Sequence, residues 1–283
     1  MGEVVLSFLD IINKSTEYLK KRGVPNPKCD VEWIVATVTN KKRVELYLEF
    51  ENPVEEEFQD KIRKWIIDRG KRIPLQHILG KVNFAGNNLF CDDRALIPRP
   101  ETEYLTELIL ERVENDFSGS ILDLGTGSGA IILTLCIQKT NCKGTGLDKS
   151  KEAIELAKKN AQFHKLSNVK FEIFDWYKDK LKKKYDIIVS NPPYLTIEEW
   201  ETAETEVKVF DPKSALVANE GTSDLIEVIN LAKIYLSSGG LLALEIGLYQ
   251  KKILLDVMNN KFTDIEIIKD YSNRERFIFG RKL

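Results

Sequence analysis

From residue 120 to residue 279, short apolar runs alternate with stretches of helical periodicity, and this alternation restricts the fold more than any other feature of the chain. The runs at 121–124, 144–147, 169–174, 185–189 and 241–246 are too short for buried helices, and several are too continuously apolar for strands with one wet face. They read as strands covered on both sides. Between them, 130–138, a segment capped by Ser150 with Ala153, Ile154, Ala157 and Ala161 on one side, 224–236 and 250–258 read as helices. Two further strands, 262–268 and 276–279, complete a set of seven. Such alternation predicts an α/β domain with a mainly parallel sheet, and ligands of these sheets bind at the carboxyl ends of strands, where strand order reverses.

Ahead of the sheet the pattern is helical. Val5, Leu6, Leu9, Ile12 and Leu19 recur at near-helical spacing over 4–22, and Gly23 followed by Pro25 stops the run. Helices are also expected at 29–39 and 44–50. Asn52-Pro53-Val54-Glu55 reads as an N-cap, a proline at the first helical position and a capping-box glutamate for a helix to residue 70. Residues 1–72 are therefore expected to be a small helical bundle. Short extended runs at 81–84 and 89–97, separated by Gly86-Asn87-Asn88, predict a hairpin within a linker or lid over 73–100, with the α/β domain at 101–283.

Candidate chemistry gathers at four successive strand ends. Asp123-Leu124-Gly125-Thr126-Gly127-Ser128-Gly129 joins the first strand to the first helix of the sheet domain, and its glycines permit a sharp turn and close approach to a ligand. The loop alone fits NAD as well as another adenosine cofactor. Asp148, ending the second strand, is placed to accept both ribose hydroxyls. Asp123 at the mouth of the loop would repel a pyrophosphate and attract the ammonium and sulfonium of S-adenosylmethionine. Asp175-Trp176 follows the third strand, with a carboxylate for an adenine amino group and an indole to cover the ring.

The fourth strand end is Ser190-Asn191-Pro192-Pro193-Tyr194. Two prolines end the strand and present Asn191 rigidly, with little capacity to donate from the backbone. The Asn191 side-chain oxygen and the Pro192 carbonyl make two acceptors, which is what a planar NH2 group needs to be held by both hydrogens. Tyr194 supplies a ring on which a flat group can stack.

This series resembles the S-adenosylmethionine-dependent methyltransferases that act on a planar nitrogen. Leu96-Ile97-Pro98-Arg99-Pro100-Glu101-Thr102-Glu103, Pro74-Leu75-Gln76-His77-Ile78-Leu79-Gly80, Phe210-Asp211-Pro212-Lys213-Ser214-Ala215-Leu216 and Glu245-Ile246-Gly247 with Gln250 narrow the resemblance to the release factor glutamine N(5)-methyltransferases, along the whole chain. The resemblance implies a seven-stranded Rossmann-like methyltransferase domain behind a helical substrate-recognition domain. It implies methylation of the glutamine amide in the Gly-Gly-Gln loop of peptide chain release factors. Asp123, Gly125 to Gly129, Asp148, Asp175, Trp176 and Asn191 are then expected around the cofactor, and Asn191, Pro192, Pro193 and Tyr194 around the glutamine, with Asn191, Pro192 and Tyr194 as the catalytic set. Ala85 stands where the family hairpin usually has an aromatic, and Asn273 where it usually has glycine.

Composition and motif integrity weigh against several alternatives. A net charge of −2 argues against a broad nucleic-acid surface, and hence against an adenine-N6 methyltransferase, which uses the same Asn-Pro-Pro-Tyr logic on another NH2. A binding module without catalysis would be expected to carry a damaged Asn-Pro-Pro-Tyr, which is intact. No apolar run approaches bilayer length and no secretory segment opens the chain, so no membrane contact is expected. Cys29, Cys91, Cys136 and Cys142 lack Cys-x-x-Cys spacing, and His77 and His164 sit in unrelated segments. The expectation is a monomer in a reducing cytoplasm, without metal, whose partner is a protein.

Overall fold

The structure, a computed structural model, describes residues 6–283 and divides into two compact units between Gly80 and Lys81. The first unit is helical. Ser7 caps α1 (Phe8–Lys21), its hydroxyl accepting from the Asp10 N–H while the Asp10 carboxylate accepts from the Ser7 N–H. Val4 and Val5, where the sequence reading begins this helix, lie outside the described residues. Next come α2 (Pro27–Val38), α3 (Arg43–Leu48), α4 (Glu56–Gly70) and α5 (Leu75–Leu79). Ile12, Leu19, Val31, Ile34, Leu46 and Ile62 fill their core.

Asn52 does not cap α4. The Phe8 N–H donates to the Asn52 carbonyl and the Val54 N–H to the Leu6 carbonyl, so Pro53 lies in a bridge opposite Ser7. The chain is extended there, and Glu55 takes the cap position.

The second unit opens with the hairpin β1 (Lys81–Phe84) and β2 (Asn87–Phe90). Its turn is Ala85-Gly86, both at positive φ (47° and 80°), so Asn87 and Asn88 belong to the strand and β2 ends at Phe90 rather than 97. A two-residue turn between right-twisted strands needs this geometry at both positions. Phe84 and Leu89 are fully buried in the unit's core, which makes the hairpin part of the core instead of a linker or lid.

The chain continues through α6 (Pro100–Glu111), β3 (Ser120–Leu124), α7 (Ala130–Gln138), β4 (Lys143–Asp148), α8 (Lys151–Phe163), β5 (Val169–Ile173) and β6 (Tyr185–Ser190). Two short helices absent from the sequence reading follow, α9 (Ile197–Glu201) and α10 (Thr205–Phe210). Then come α11 (Ser223–Tyr235), β7 (Leu236–Glu245), α12 (Lys251–Met258), β8 (Phe262–Lys269) and β9 (Glu275–Lys282).

The seven strands form one sheet in the order β5-β4-β3-β6-β7-β9-β8, parallel from β5 to β7, with β9 antiparallel to both neighbours. Alternate residues face opposite layers. Ile121, Ile187 and Val189 pack with residues of α6, α7 and α8, whereas Leu122, Leu124 and Ile188 pack with residues of α11 and α12. The order reverses between β3 and β6, where Leu124 pairs with Ser190, and that edge carries the site. Among the described residues no helix is long and apolar enough to cross a membrane, and no cluster of His, Cys, Asp or Glu could hold a metal.

Candidate active site

At the carboxyl ends of β3, β4 and β6 lies a cavity of about 480 Å³, within the range that holds a nucleoside-sized ligand. The loop after β3 is tied down at its start: the Gly125 and Thr126 N–H groups both donate to the Leu147 carbonyl (2.8 and 2.9 Å). Gly125 sits at φ +73°, and a β-carbon there would meet the Trp176 indole at 3.5 Å. The loop needs glycine at this point for its backbone turn.

Asp148 closes the loop against β4. Its carboxylate accepts from the Gly127 N–H and the Ser150 N–H, each at 2.9 Å. The Gly127 N–H is thereby spent on a carboxylate and does not offer itself to a phosphate. Below the loop, Asp123 accepts the Thr126 hydroxyl at 2.6 Å. It is fully buried and does not line the cavity, in contrast to the expectation that it stands at the mouth; the loop covers it. Burial pushes the Asp123 carboxyl up to about 7 and the charge of Asp148 adds to the rise, against the pull of the Thr126 hydroxyl. Burial also raises Asp148, against its backbone donors. Of these two carboxylates the one that does line the cavity, Asp148, fits a cationic or hydroxyl-bearing ligand and not a pyrophosphate.

Asp175 and Trp176, after β5, form a further wall. Asp175 is already engaged: it accepts from the Tyr177 N–H at 3.1 Å and pairs with Lys178 (3.3 Å) and Lys149 (3.4 Å). Burial would raise its carboxyl, but these donors outweigh it and hold the group below its ordinary value. The Trp176 indole N–H donates to Asp224 at 2.9 Å, and the Tyr177 hydroxyl donates to the same oxygen at 3.0 Å. The N-terminal turn of α11 thus fixes the ring.

The Ser190 hydroxyl donates to the Leu124 carbonyl (2.6 Å), locking the ends of β3 and β6 together. Asn191 and Pro193 line the cavity; Pro192 and Tyr194 do not. Asn191 Nδ2 donates to the Thr102 hydroxyl oxygen at 3.1 Å, and among the described residues nothing donates to its Oδ1. Tyr194 is no stacking platform at the cavity. Its hydroxyl donates to Glu245 (3.0 Å), its ring lies 5.7 Å from the Arg276 guanidinium, and its side chain packs into the core beside α11 and α12. Gln250 holds the stretch from behind, donating to the Tyr194 and Gly221 carbonyls (2.9 and 2.8 Å) while accepting from the Gly247 N–H.

The cavity therefore joins Gly125, Thr126, Gly127, Ser128, Asp148, Asp175, Trp176, Asn191 and Pro193, and leaves Asp123, Gly129, Pro192 and Tyr194 in its frame. It also brings in residues that sequence reasoning did not place, among them Arg99, Thr102, Ser214 and Asp224. Arg99 pairs with Asp211 at 2.6 Å, which draws the Pro98-Arg99-Pro100 and Asp211-Pro212 segments to one rim.

Groups of this kind at four neighbouring strand ends, on either side of the reversal, define the class: an S-adenosylmethionine-dependent methyltransferase. Comparison with known proteins narrows it. The family model described as the Methyltransferase small domain matches residues 89–221, and the PrmC N-terminal domain matches residues 10–80. A release factor glutamine methyltransferase of Fusobacterium nucleatum is 40% identical over 279 residues, covering 97% of this chain and 78% of that protein. One from Chlorobaculum tepidum is 31% identical over 284 residues, 97% of each. The Thermus thermophilus 16S rRNA N2 G1207 methyltransferase, solved with AdoMet and guanosine, shares the fold at a TM-score of 0.50 and 19% identity, over 72% of this chain and 50% of that one. The chain belongs to the release factor glutamine methyltransferase family.

Proposed function

We propose that this protein methylates the side-chain amide nitrogen of a glutamine in a peptide chain release factor, the glutamine of its Gly-Gly-Gln loop. The observation that carries the reading is Asn191: its nitrogen is held by Thr102, its oxygen has no donor among the described residues, and it lines the cavity that Asp148 also lines. Asp148, the 125–128 loop and Trp176 would hold the cofactor. When bound, S-adenosylmethionine supplies an electrophilic methyl group on a sulfonium.

An amide nitrogen is a poor nucleophile because its lone pair is delocalised. Asn191 Oδ1 accepts an N–H bond of the glutamine, orients the nitrogen and draws on its hydrogen as the new N–C bond forms, while Pro192, outside the cavity lining, holds Asn191 in place. The nitrogen's surplus proton leaves to water. The helical unit reads the protein around the glutamine, and a release factor as substrate implies a cytoplasmic enzyme.

The test is transfer of labelled methyl from S-adenosylmethionine to an intact release factor, to the same factor with its loop glutamine replaced by alanine, and to a DNA duplex. Label on the intact factor alone is expected. Label on the duplex, or on the alanine variant, overturns the reading. A chain beginning at Lys81 should still bind the cofactor and methylate the intact factor poorly.

A further inference from the structure

One buried acid has no part in the chemistry above. Glu245 ends β7 and is 1% exposed. Each of its carboxylate oxygens receives one hydroxyl: Oε2 from Thr102 at 2.7 Å and Oε1 from Tyr194 at 3.0 Å. Thr102 has one hydroxyl hydrogen, and it is committed to Glu245. The Thr102 oxygen can then only accept, and what it accepts is the Nδ2 of Asn191.

The two ends of an amide are nearly the same in shape and opposite in function: one donates, the other accepts. At Asn191 the shape of the site does not decide between them. The hydroxyl of Thr102 does, and its direction is decided by Glu245. We infer that Glu245 is a positioning residue for methyl transfer, acting through Thr102 to turn the oxygen of Asn191, and not its nitrogen, toward the acceptor. The inference rests on the acceptor role given to Asn191 under the proposed function.

Burial pushes the Glu245 carboxyl up, against the pull of the Thr102 and Tyr194 hydroxyls and of Arg276. Arg276, whose guanidinium donates to the Ile246 carbonyl at 2.9 Å, draws the carboxyl the other way, toward its ionised form. A polar chain of this kind is costly to break in part, since each member left behind is buried without a partner.

The experiment replaces Thr102 with valine, which keeps the shape and removes the hydroxyl, and with serine, which keeps the hydroxyl. The readouts are the Asn191 side-chain amide resonances in nitrogen-labelled protein, identified by their loss in Asn191→Asp, together with single-turnover methylation of a release factor and cofactor affinity. Thr102→Val is expected to shift the Asn191 amide resonances and to slow turnover about a hundredfold, the scale on which small misplacements act, with little change in cofactor affinity. Thr102→Ser is expected to restore both. Glu245→Gln, equal in volume, can donate to Thr102 and reverse its hydroxyl, and is expected to disturb the same resonances should Thr102→Val fail to fold. Unmoved resonances in these variants, or a serine variant as slow as the valine, overturn the inference. Resonances that respond as expected in a protein that leaves release factors unmethylated support the positioning and overturn only the assigned substrate.

Discussion

Asn191→Ala removes the one oriented acceptor that the cavity presents at the end of β6. It is expected to lower the single-turnover rate on the order of a hundredfold to a thousandfold, the usual cost of losing such a contact at a reacting centre, while calorimetry finds cofactor affinity close to unchanged. Tyr194→Phe belongs to a different kind of effect. The sequence reading values the ring, and the phenylalanine variant would then be mild by comparison. In the structure the hydroxyl serves Glu245, and removing it leaves a buried carboxylate oxygen without its donor. A loss of about 1 to 3 kcal/mol in urea unfolding is expected. Asp148, Asp175, Trp176 and Asn191 were legible because a polar residue directly after an apolar run must stand at a strand end. Asp123 misled for the same reason: a polar residue at that position can lie under the loop as readily as over it. Thr102 and Glu245 carry no sign of their meeting, because 143 residues separate them and a threonine early in a helix looks the same whether it faces solvent or a buried acid.

At the level of elements, one side chain ties the hairpin to the loop after β3 by hydrogen bonds. Asn160 of α8 is fully buried, accepts from the Phe90 N–H at 2.7 Å, and donates to the Phe90 and Ser128 carbonyls at 3.2 and 2.9 Å. Asn160→Ala leaves these groups without a protein partner. The expected loss is on the order of 3 kcal/mol by chemical denaturation, accompanied by weaker cofactor binding because the loop loses its tether. A variant as stable as the parent would mean that hairpin and loop are held by packing alone. The strands and helices of the sheet domain followed from periodicity, since burial on two faces leaves little else for such runs to do. The hairpin register did not. Gly86-Asn87-Asn88 has the composition of a turn, yet the inward direction of Phe84 and Leu89 decides the pairing and forces Ala85 to positive φ. Periodicity was likewise blind to α9 and α10, which are five and six residues long.

For the molecule as a whole, the buried acid under the loop gives stability a pH dependence of known sign. The Asp123 carboxyl lies at about 7 in the folded chain against an ordinary 3.8, so the folded state holds a proton that the unfolded chain has released. The stability that comes from burying the neutral acid is complete below 3.8 and is lost as pH rises to about 7. Urea unfolding of the unliganded protein should therefore show stability falling from pH 5 to pH 8 more steeply than in Asp123→Asn. Parallel slopes for the two would remove Asp123 from the account. The fixed indole at the cavity wall also has an optical consequence. Of the four tryptophans, at 33, 65, 176 and 200, only Trp176 lines the cavity. Its emission therefore reports occupancy without any label: titration with S-adenosylmethionine should change the protein's intrinsic fluorescence, and Trp176→Phe should abolish the change while the other three continue to glow, so the enzyme carries its own binding meter.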